Sequence, residues 1–258
     1  MAIITLTTDL GDKDIYQAAL KGSILKLLPA VNIVDITNNV SAFNIQQAAF
    51  ILKNSFHYFP EATVHLIGID TVFSTSTRYL AIKYKKHYFV GADNGIFSLM
   101  FNEEPDEVVE INIMQDLKFL HFPLADIFVK AACHLANGGT LDKIGVPVSE
   151  IEQKMNLQPV LEKNLIKGSV IYIDSFQNVI TNITKEFFNS IQQGRRFTLY
   201  FKRNETINNL SWHYNEVPEG EKLCLFGISD HLEIAINKGN ASGLLGLGIG
   251  DSVILDFQ

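Results

Sequence analysis

Residues 2–28 read AIITLTTDLGDKDIYQAALKGSILKLL, which is the pattern of a buried strand followed by a helix. The apolar run from Ala2 to Thr7 predicts the strand, and it ends in the polar turn Thr8-Asp9-Leu10-Gly11. Apolar residues then recur with helical spacing from Asp14 to Leu28, and Pro29 follows. One side of this helix carries Ile15, Ala18, Ala19, Gly22, Leu25 and Leu28.

The same alternation of strands and helices continues to about residue 150. It predicts an N-terminal α/β domain, residues 1–150, with a mainly parallel sheet that is covered on both faces. The predicted elements after the first helix are a strand Val31–Ile36, a helix Ile45–Phe59, a strand Thr63–Ile69, a hairpin of Tyr79–Tyr84 with Tyr88–Val90, and a helix Ile127–Leu135.

From about Leu165 the pattern changes to short β-rich runs separated by turns, which predicts a smaller all-β domain over residues 165–258. The polar segment 151–164 contains Pro159 and is the predicted linker. The predicted strands are Val170–Ile173, Phe197–Phe201, Lys222–Phe226, Leu232–Ile236 and Ser252–Phe257.

Composition excludes several classes of function. The chain has 258 residues, 47% of them hydrophobic, and a net charge of -7, so a folded core is expected and a nucleic-acid surface is not. No apolar run is long enough for a membrane span, and no signal peptide is expected. Cys133 and Cys224 lie far apart outside any metal-ligand pattern, which fits a reducing cytoplasm. The histidines lack metal-ligand spacing, so neither a metal nor a cofactor is expected.

The segment Asp174-Ser175-Phe176-Gln177-Asn178-Val179-Ile180-Thr181-Asn182 is the first candidate binding site. At the end of a strand, a carboxylate can accept from an ammonium or a hydroxyl group, a Phe can cover a ring face, and an Asn can read a ring edge. The alternative is structural, because Asp and Asn also begin turns and a Phe in a β-run is usually buried.

A second candidate lies at the turn after the first strand, where Asp9 and Asp14 flank the entry to the helix. Ligands of open α/β sheets bind at the carboxyl ends of the strands, and a carboxylate there can accept both hydroxyls of a ribose. The alternative is that Asp9 or Asp12 caps the helix. The turn has neither a GxGxxG nor a Walker pattern, so it does not indicate a phosphate site.

Asp70 ends the third predicted strand and precedes a hydroxyl-rich loop, so its carboxylate could orient a water molecule. The alternative is a polar surface loop with an Asp–Arg pair, which would contribute little to stability. Asp93-Asn94-Gly95 is a turn signal. No GxSxG sequence supports serine-hydrolase chemistry.

Six segments in order along the chain resemble the S-adenosyl-L-methionine (SAM) hydroxide adenosyltransferases, the adenosine-forming SAM hydrolases related to bacterial fluorinase and chlorinase. Thr8 to Gly11 with Asp14 and Lys21-Gly22 resembles that family's opening TD(F/L)G…D…KG motif. The other similar segments are Asp35-Ile36-Thr37 with Phe43-Asn44-Ile45, Phe59 to His65, Ala92 to Gly95, Asp174 to Asn182, and Leu232 to Gly239.

The resemblance implies an α/β N-terminal domain, a β-barrel-like C-terminal domain and a homotrimer. In the family, SAM lies between the N-terminal domain of one subunit and the C-terminal domain of its neighbour. By position, Asp9 would hold the ribose, Phe43 would pack on the sugar or sulfonium, and Asp14 and Asp174 would bind the methionine ammonium. The adenine contacts would come from Phe176 and Tyr214 on its faces, Asn178 at its edge, and backbone atoms near Ser229 and Lys238.

The resemblance is weaker at the positions that hold the attacking water, which in the family are an Asp, an Arg and a His. Asp70 matches the Asp, but Thr77 stands at the first Arg, and only the neighbouring Arg78 remains. Pro123 stands at the His, two residues after His121. Elsewhere, Asn38 replaces the usual His of the family's DITH segment. The halide-contacting Ser of the halogenating relatives aligns with Leu124.

Three hypotheses follow. The first is a SAM hydrolase that forms adenosine and L-methionine, with Asp70 as catalytic residue and Arg78 and His121 as substitutes for the missing pair. The second is a non-catalytic SAM or adenosine binder that serves as a sensor or a storage protein. The third is different nucleophilic chemistry on an adenosyl substrate, in an apolar pocket lined by Phe73, Phe122 and Leu124.

Overall fold

The computed structural model describes residues 2–71, 77–202 and 205–258. The chain divides into two compact units, Met1–Met155 and Asn156–Gln258, and the division falls inside the segment that we expected to link two domains. Each unit contains its own sheet and its own hydrophobic core.

The first unit contains a seven-stranded sheet in the order β2-β1-β3-β5-β4-β6-β7. Its strands are β1 (Ile3–Thr8), β2 (Asn32–Thr37), β3 (Val64–Gly68), β4 (Tyr79–Tyr84), β5 (His87–Ala92), β6 (Glu107–Ile111) and β7 (Gly145–Pro147).

This sheet is mixed, whereas we predicted a mainly parallel one. Strands β2, β1, β3 and β5 are parallel, and β4, β6 and β7 add antiparallel pairings. The predicted hairpin accounts for one antiparallel pairing, and β6 and β7, two strands that the sequence pattern did not reveal, add the other two. The connection between β4 and β5 consists only of Lys85 and Lys86. Both have positive φ, 48° and 65°, as in the tight turns that reverse a chain into a hairpin. So short a loop cannot join parallel strands.

Helices cover both faces of this sheet. Packed on one face are α1 (Ile15–Leu27) and α4 (Ile127–Ala136), and on the other are α2 (Ile45–Lys53) and α3 (Ile96–Met100). The alternation of β1 explains the two layers, because Ile4 and Leu6 enter the core beneath α1 and α4 while Thr5 and Thr7 point the other way. This arrangement leaves the carboxyl ends of β1 and β3 side by side.

Helix α1 contacts the core through Leu20 and Ile24, which are four residues apart. The side that the periodicity picked out lies elsewhere. Ile15, Ala18, Ala19 and Leu25 are all exposed in this chain. The helix therefore has one apolar contact with the sheet and a second, uncovered apolar side.

The second unit is an antiparallel, barrel-like sheet in the order β12-β11-β15-β9-β10-β14-β13, with β8 added beside β9. Two short helices accompany it, α5 (Lys185–Gln192) and α6 (Ala241–Leu245). The strands are β8 (Val160–Glu162), β9 (Leu165–Ile173), β10 (Val179–Thr184), β11 (Phe197–Phe201), β12 (Glu205–Ile207), β13 (Lys222–Phe226), β14 (His231–Ile236) and β15 (Ser252–Phe257).

Strand β14 separates the two faces of this sheet. Leu232, Ile234 and Ile236 enter the main core, whereas Glu233 and Ala235 point to the outer face. On that outer face, Ala235 forms a small apolar cluster with Leu223 and Leu225, and Val217 packs against it. Residues 210–221, which we call the crossing segment, therefore run over the outside of β13 and β14.

Candidate functional site

Asp9 follows β1 directly, and its carboxylate holds the next loop in place. Its Oδ2 accepts a hydrogen bond from the backbone N–H of Phe43 at 2.9 Å. Phe43 has φ 63°, a left-handed conformation that is costly for an aromatic residue, and its side chain is 66% exposed. Such outliers persist where the surroundings fix them, and they concentrate at ligand sites. The backbone that carries this exposed ring is thus bound to the carboxylate that was predicted to bind ribose.

Asn38 joins the same loop to the end of β1. Its Oδ1 accepts from the Thr8 hydroxyl at 2.8 Å, and its carbonyl accepts from Gly11 N–H at 2.7 Å. Val40 N–H donates to the Thr8 carbonyl at 3.2 Å, which completes the connection. Asn38 is buried, so in this chain it connects two backbone segments beneath Asp9 and Phe43.

Asp14, not Asp9 or Asp12, is the N-cap residue of α1. Its side chain makes no capping hydrogen bond and is exposed. The structural alternative for Asp9 is therefore wrong, because the carboxylate of Asp9 serves the Phe43 loop. The carboxylate of Asp14 stays exposed at the positive end of the helix dipole.

Asp70 lies two residues beyond β3, exposed and with φ 48°. The Asn94 side chain supports this strand end by donating from Nδ2 to the Ile69 carbonyl at 3.0 Å. The turn at residues 93–95, predicted from sequence, thus braces the backbone that presents Asp70. Residues 72–76 lie outside the described part of the chain, and so does Phe73, which we expected to line an apolar pocket.

Arg78 is engaged in a structural network. It pairs with Asp93 and donates to the Glu150 carbonyl at 3.1 Å. The side chain of Asp93 is only 3% exposed, and its other oxygen accepts from Glu152 N–H at 2.8 Å. The expected Asp–Arg pair therefore forms with Asp93 and not with Asp70, and it fastens the segment 150–152 to the turn.

His121 is exposed at the surface, whereas Pro123 and Leu124 are buried in a short 3₁₀ turn. Leu124 packs against the end of β3 so closely that a Cβ on Gly68 would lie 2.5 Å from its Cδ2. Within the described residues, no hydrogen bond or ion pair joins Asp70 to Arg78 or His121. The three catalytic candidates therefore do not form a preassembled set.

The turn between β9 and β10 presents the aromatic ring predicted in the second unit. Asp174 Oδ1 accepts from Asn178 N–H at 2.8 Å, and Oδ2 accepts from Asn178 Nδ2 at 3.0 Å. The turn-forming reading of Asp174 and Asn178 is thus correct, and both also remain candidates for ligand contacts. The core reading of Phe176 is wrong, because its ring is 81% exposed.

Tyr214 lies in the crossing segment and donates its hydroxyl to Glu233 Oε1 at 2.7 Å. Glu233 is 5% exposed. Burial raises the pKa of its carboxyl above the usual range, and the nearby Asp174 raises it further, against the opposing effect of the Tyr214 hydroxyl. Burial, followed by the hydrogen bond to Glu233 and the charges of Glu233 and Asp174, raises the pKa of Tyr214. Sequence reasoning missed Glu233, although a charged residue inside the alternating run LEIAI was the available signal.

Ser229 lies before the first residue of β14 and Lys238 lies after its last residue. The register of β10 against β14 puts the Asp174–Asn178 turn near the Lys238 end. A six-residue strand spans about 20 Å, so one adenine amino group cannot contact backbone atoms near both residues. Lys238 stays a candidate for the adenine, with φ 53° and its Nζ paired to Glu219 at 3.0 Å. Ser229 does not.

A buried histidine pair lies at the other end of the first sheet. Thr5 Oγ1 and His65 Nδ1 are 2.7 Å apart, and His65 Nε2 lies 3.2 Å from His87 Nδ1. The ring of His65 stacks on Phe89. Burial, followed by the neighbouring His87, lowers the pKa of His65 to about 3, so the ring is neutral at ordinary pH. These groups serve the core.

Other chemistry finds little support in the described residues. Burial raises the pKa of Cys133 to about 11 and of Cys224 to about 12, so neither thiol is a ready nucleophile. In residues 2–71, 77–202 and 205–258, no three His, Cys, Asp or Glu side chains are grouped to hold a metal ion. No helix in those ranges has the length and apolar character needed to span a membrane.

Two family models match most of the chain. The SAM hydroxide adenosyltransferase N-terminal domain matches residues 4–145, and the C-terminal domain of the same family matches residues 168–254. A solved structure, an uncharacterized conserved protein from Thermotoga maritima, has a TM-score of 0.89 and 30% identity. The similarity extends over 98% of this chain and 99% of the Thermotoga maritima chain.

Proteins of similar sequence include (R)-S-adenosyl-L-methionine hydrolases and fluorinases. Two named (R)-S-adenosyl-L-methionine hydrolase are each 28% identical to this chain. The one from Methanocaldococcus jannaschii covers 97% of this chain and 94% of its own length, and the one from Thermus thermophilus covers 99% and 100%. A fluorinase from Actinoplanes sp. is 24% identical over 72% of this chain and 70% of its own.

Proposed function

The chain belongs to the SAM hydroxide adenosyltransferase family, and on that premise we propose that it hydrolyses SAM to adenosine and L-methionine. Full-length similarity to proteins named (R)-S-adenosyl-L-methionine hydrolase supports this substrate, including the R configuration at sulfur. The observation that carries the proposal is the contact of Asp9 with Phe43, in which a carboxylate at the end of a strand binds the strained backbone of a residue with an exposed ring.

The ligand contacts follow from the chemistry of SAM. Asp9 accepts from the ribose hydroxyls, and Phe43 packs on the sugar or the sulfonium. Asp14 and Asp174 bind the methionine ammonium, which needs carboxylate partners once it is removed from water. The adenine lies between Phe176 and Tyr214, with Asn178 at its edge and the backbone near Lys238 at its amino group.

The reaction is a substitution at C5′. An oxygen of water forms a bond to C5′ while the C5′–S bond breaks, and the bonding electrons return to sulfur as the neutral thioether of methionine. The water loses a proton to solvent or to a nearby base. Because the sulfonium is a good leaving group, the protein mainly has to place the water and partly desolvate it. We assign that placement to Asp70.

Arg78 and His121 are weaker candidates for the same task. The guanidinium of Arg78 already pairs with Asp93 and contacts the Glu150 carbonyl, and His121 is exposed. These observations favour the second hypothesis, a SAM or adenosine binder without turnover. Close packing of Leu124 on Gly68 is the observation that favours the third, in which another nucleophile reacts in an apolar site.

We further propose a homotrimer in which each ligand site combines residues from two subunits. The uncovered apolar side of α1, formed by Ile15, Ala18, Ala19 and Leu25, supports burial against another copy. Sedimentation equilibrium gives the mass directly. If sites are shared, mixing Asp9→Ala and Asp174→Ala proteins by refolding restores part of the activity that each variant lacks.

The proposed function is tested by incubating the purified protein with SAM and following adenosine and methionine by chromatography, with calorimetric binding in the same buffer. Both SAM sulfonium epimers are supplied separately. Linear, protein-dependent formation of equal amounts of both products supports the hydrolase. Tight binding without product supports the binder, and an adenosyl product other than adenosine supports the third hypothesis.

A further inference from the structure

We infer that Glu233 is a positioning residue that fixes the ring of Tyr214 for adenine. The inference rests on the proposed function, because that function gives Tyr214 its adenine contact. It adds a residue that acts on the ligand only through another side chain.

The contact between Tyr214 and Glu233 is short, and it joins a residue of an exposed turn to a buried one. Tyr214 lies in an exposed 3₁₀ turn, and its hydroxyl reaches Glu233 Oε1 at 2.7 Å. Glu233 belongs to a strand paired on both sides, with Leu225 opposite it on β13 and Ile180 opposite it on β10. A buried acceptor in a strand that is paired on both sides therefore holds a ring that belongs to an exposed turn.

The sheet is shaped to accept this carboxylate. Residues directly opposite one another in an antiparallel ladder share a face, so Glu233 stands on the apolar outer face beside Ile180 and Leu225. A Cβ at Gly227 would lie 2.6 Å from Glu233 Oε2, so the absence of a side chain there makes room for the acid. An apolar residue would suit this face better for stability, since burying a carboxylate is costly.

We infer that the Glu233 carboxylate fixes the Tyr214 ring before the ligand binds. The crossing segment is fixed at one end by the bond from Asn237 Nδ2 to the Val217 carbonyl, at 2.7 Å, and at the other by Ser211 N–H to the Cys224 carbonyl, at 2.8 Å. Tyr214 lies between these anchors. Fixing its ring before the ligand arrives avoids the entropy loss of ordering an exposed aromatic side chain on binding.

The test compares Glu233→Leu, Glu233→Gln, Tyr214→Phe and the Glu233→Leu/Tyr214→Phe double variant by calorimetry with adenosine. Glu221→Gln, an exposed carboxylate of the same segment, is the matched control. We expect about a 10-fold loss of affinity for Glu233→Leu and for Tyr214→Phe, and no larger loss in the double variant. Glu233→Gln keeps a carbonyl acceptor and stays within about threefold of the wild type.

A second measurement reports on the mobility of the crossing segment in the absence of ligand. Trp212 is the only tryptophan of the chain, lies two residues from Tyr214 and is 84% exposed, so its fluorescence anisotropy reports on the crossing segment. Glu233→Leu and Tyr214→Phe should lower this anisotropy, whereas Glu233→Gln and Glu221→Gln should not. Thermal unfolding of each variant establishes that it is folded.

The outcomes separate the two proposals. Full adenosine affinity in a folded Glu233→Leu protein, or losses that add in the double variant, would overturn the role of Glu233 and leave the hydrolase standing. A wild-type protein that binds neither adenosine nor SAM would overturn the proposed function, and the role of Glu233 with it. Normal binding in Glu233→Leu together with lowered anisotropy would mean that the contact holds the segment but not the ligand.

Discussion

The turn after β9 and the turn after β3 each present a carboxylate at a strand end, but they hold it differently. Both oxygens of Asp174 accept hydrogen bonds from Asn178, which fixes the carboxylate before any ligand is present. Asp70 is exposed, and Asn94 supports only the backbone beside it. Under the proposed function, the fold therefore fixes the carboxylate that would bind the ligand, whereas the carboxylate that would place the water is not fixed in advance.

The largest expected effect separates the two turns. Asp70→Gly should reduce adenosine formation by about 10²- to 10⁴-fold, the usual contribution of one positioned acid or base group. Glycine tolerates the positive φ of this position, so folding should be undisturbed. Steady-state kinetics and calorimetry check it, and SAM affinity should stay within about threefold. Unchanged turnover would remove Asp70 from the mechanism.

Asp174→Ala should act on affinity instead. It removes the ammonium partner and both bonds to Asn178, and truncating one partner of a hydrogen-bonded charge pair costs about 2 to 5 kcal/mol in binding. Calorimetry with SAM measures this loss. Ser175→Ala, an exposed change in the same turn, is the control and should bind normally. SAM affinity that survives in Asp174→Ala would contradict the whole ligand assignment.

Arg78→Ala should mainly reduce stability. It leaves the buried Asp93 carboxylate with one hydrogen bond, from Glu152, and loss of a hydrogen bond to a charged group costs about 1.5 to 3 kcal/mol. Urea unfolding measures the change, and Arg78→Ala/Asp93→Asn should recover part of it. A collapse of turnover with unchanged stability would instead make Arg78 catalytic.

The buried His65, at the other end of the first sheet, leads us to expect that stability depends on pH. Because the pKa of His65 is lowered from 6.5 to about 3, the folded state binds fewer protons than the unfolded state between these values. Stability is therefore full above pH 6.5 and falls as the pH drops, by up to about 1.4 kcal/mol per pH unit. Urea unfolding at several pH values checks this. His65→Gln should flatten the slope, and His57→Gln, an exposed control, should not.

His121→Ala is expected to have the smallest effect. The side chain is exposed, and surface changes of this kind typically alter stability by less than about 0.5 kcal/mol. Turnover and SAM affinity should both stay within about twofold of the wild type. A large loss of turnover would show that this region rearranges around the substrate.

The limits of strands with strongly alternating hydrophobicity could be predicted from the sequence, whereas the pairing of strands within each sheet was harder to predict. Phe197–Phe201, Lys222–Phe226 and Ser252–Phe257 have the predicted limits. The helix predicted to reach Phe59 ends at Lys53, because the chain tightens into a 3₁₀ turn at Phe56–Tyr58. Strand β10 was missed, since its residues were assigned to a binding motif, and apolar runs of that length do not reveal their own structure.

Contacts between residues far apart in sequence limit how much of the candidate site can be predicted from the sequence. The bond from Phe43 N–H to Asp9 and the pairing of Arg78 with Asp93 join residues far apart in sequence, and no local spacing encodes them. The register of β14 likewise decides that Lys238, and not Ser229, lies near the Asp174–Asn178 turn. Residue types suggested a polar ligand with a ring, and the family resemblance suggested SAM, whereas the partners of each side chain required the fold.

Attack of water on C5′ of SAM can be tested by isotope labelling. The purified protein is incubated with SAM in water enriched in ¹⁸O, and the adenosine is examined by mass spectrometry. We expect one ¹⁸O atom, on the 5′ oxygen of adenosine, at the same enrichment as the solvent. Unlabelled adenosine, another adenosyl product, or bound SAM that is never converted would contradict it.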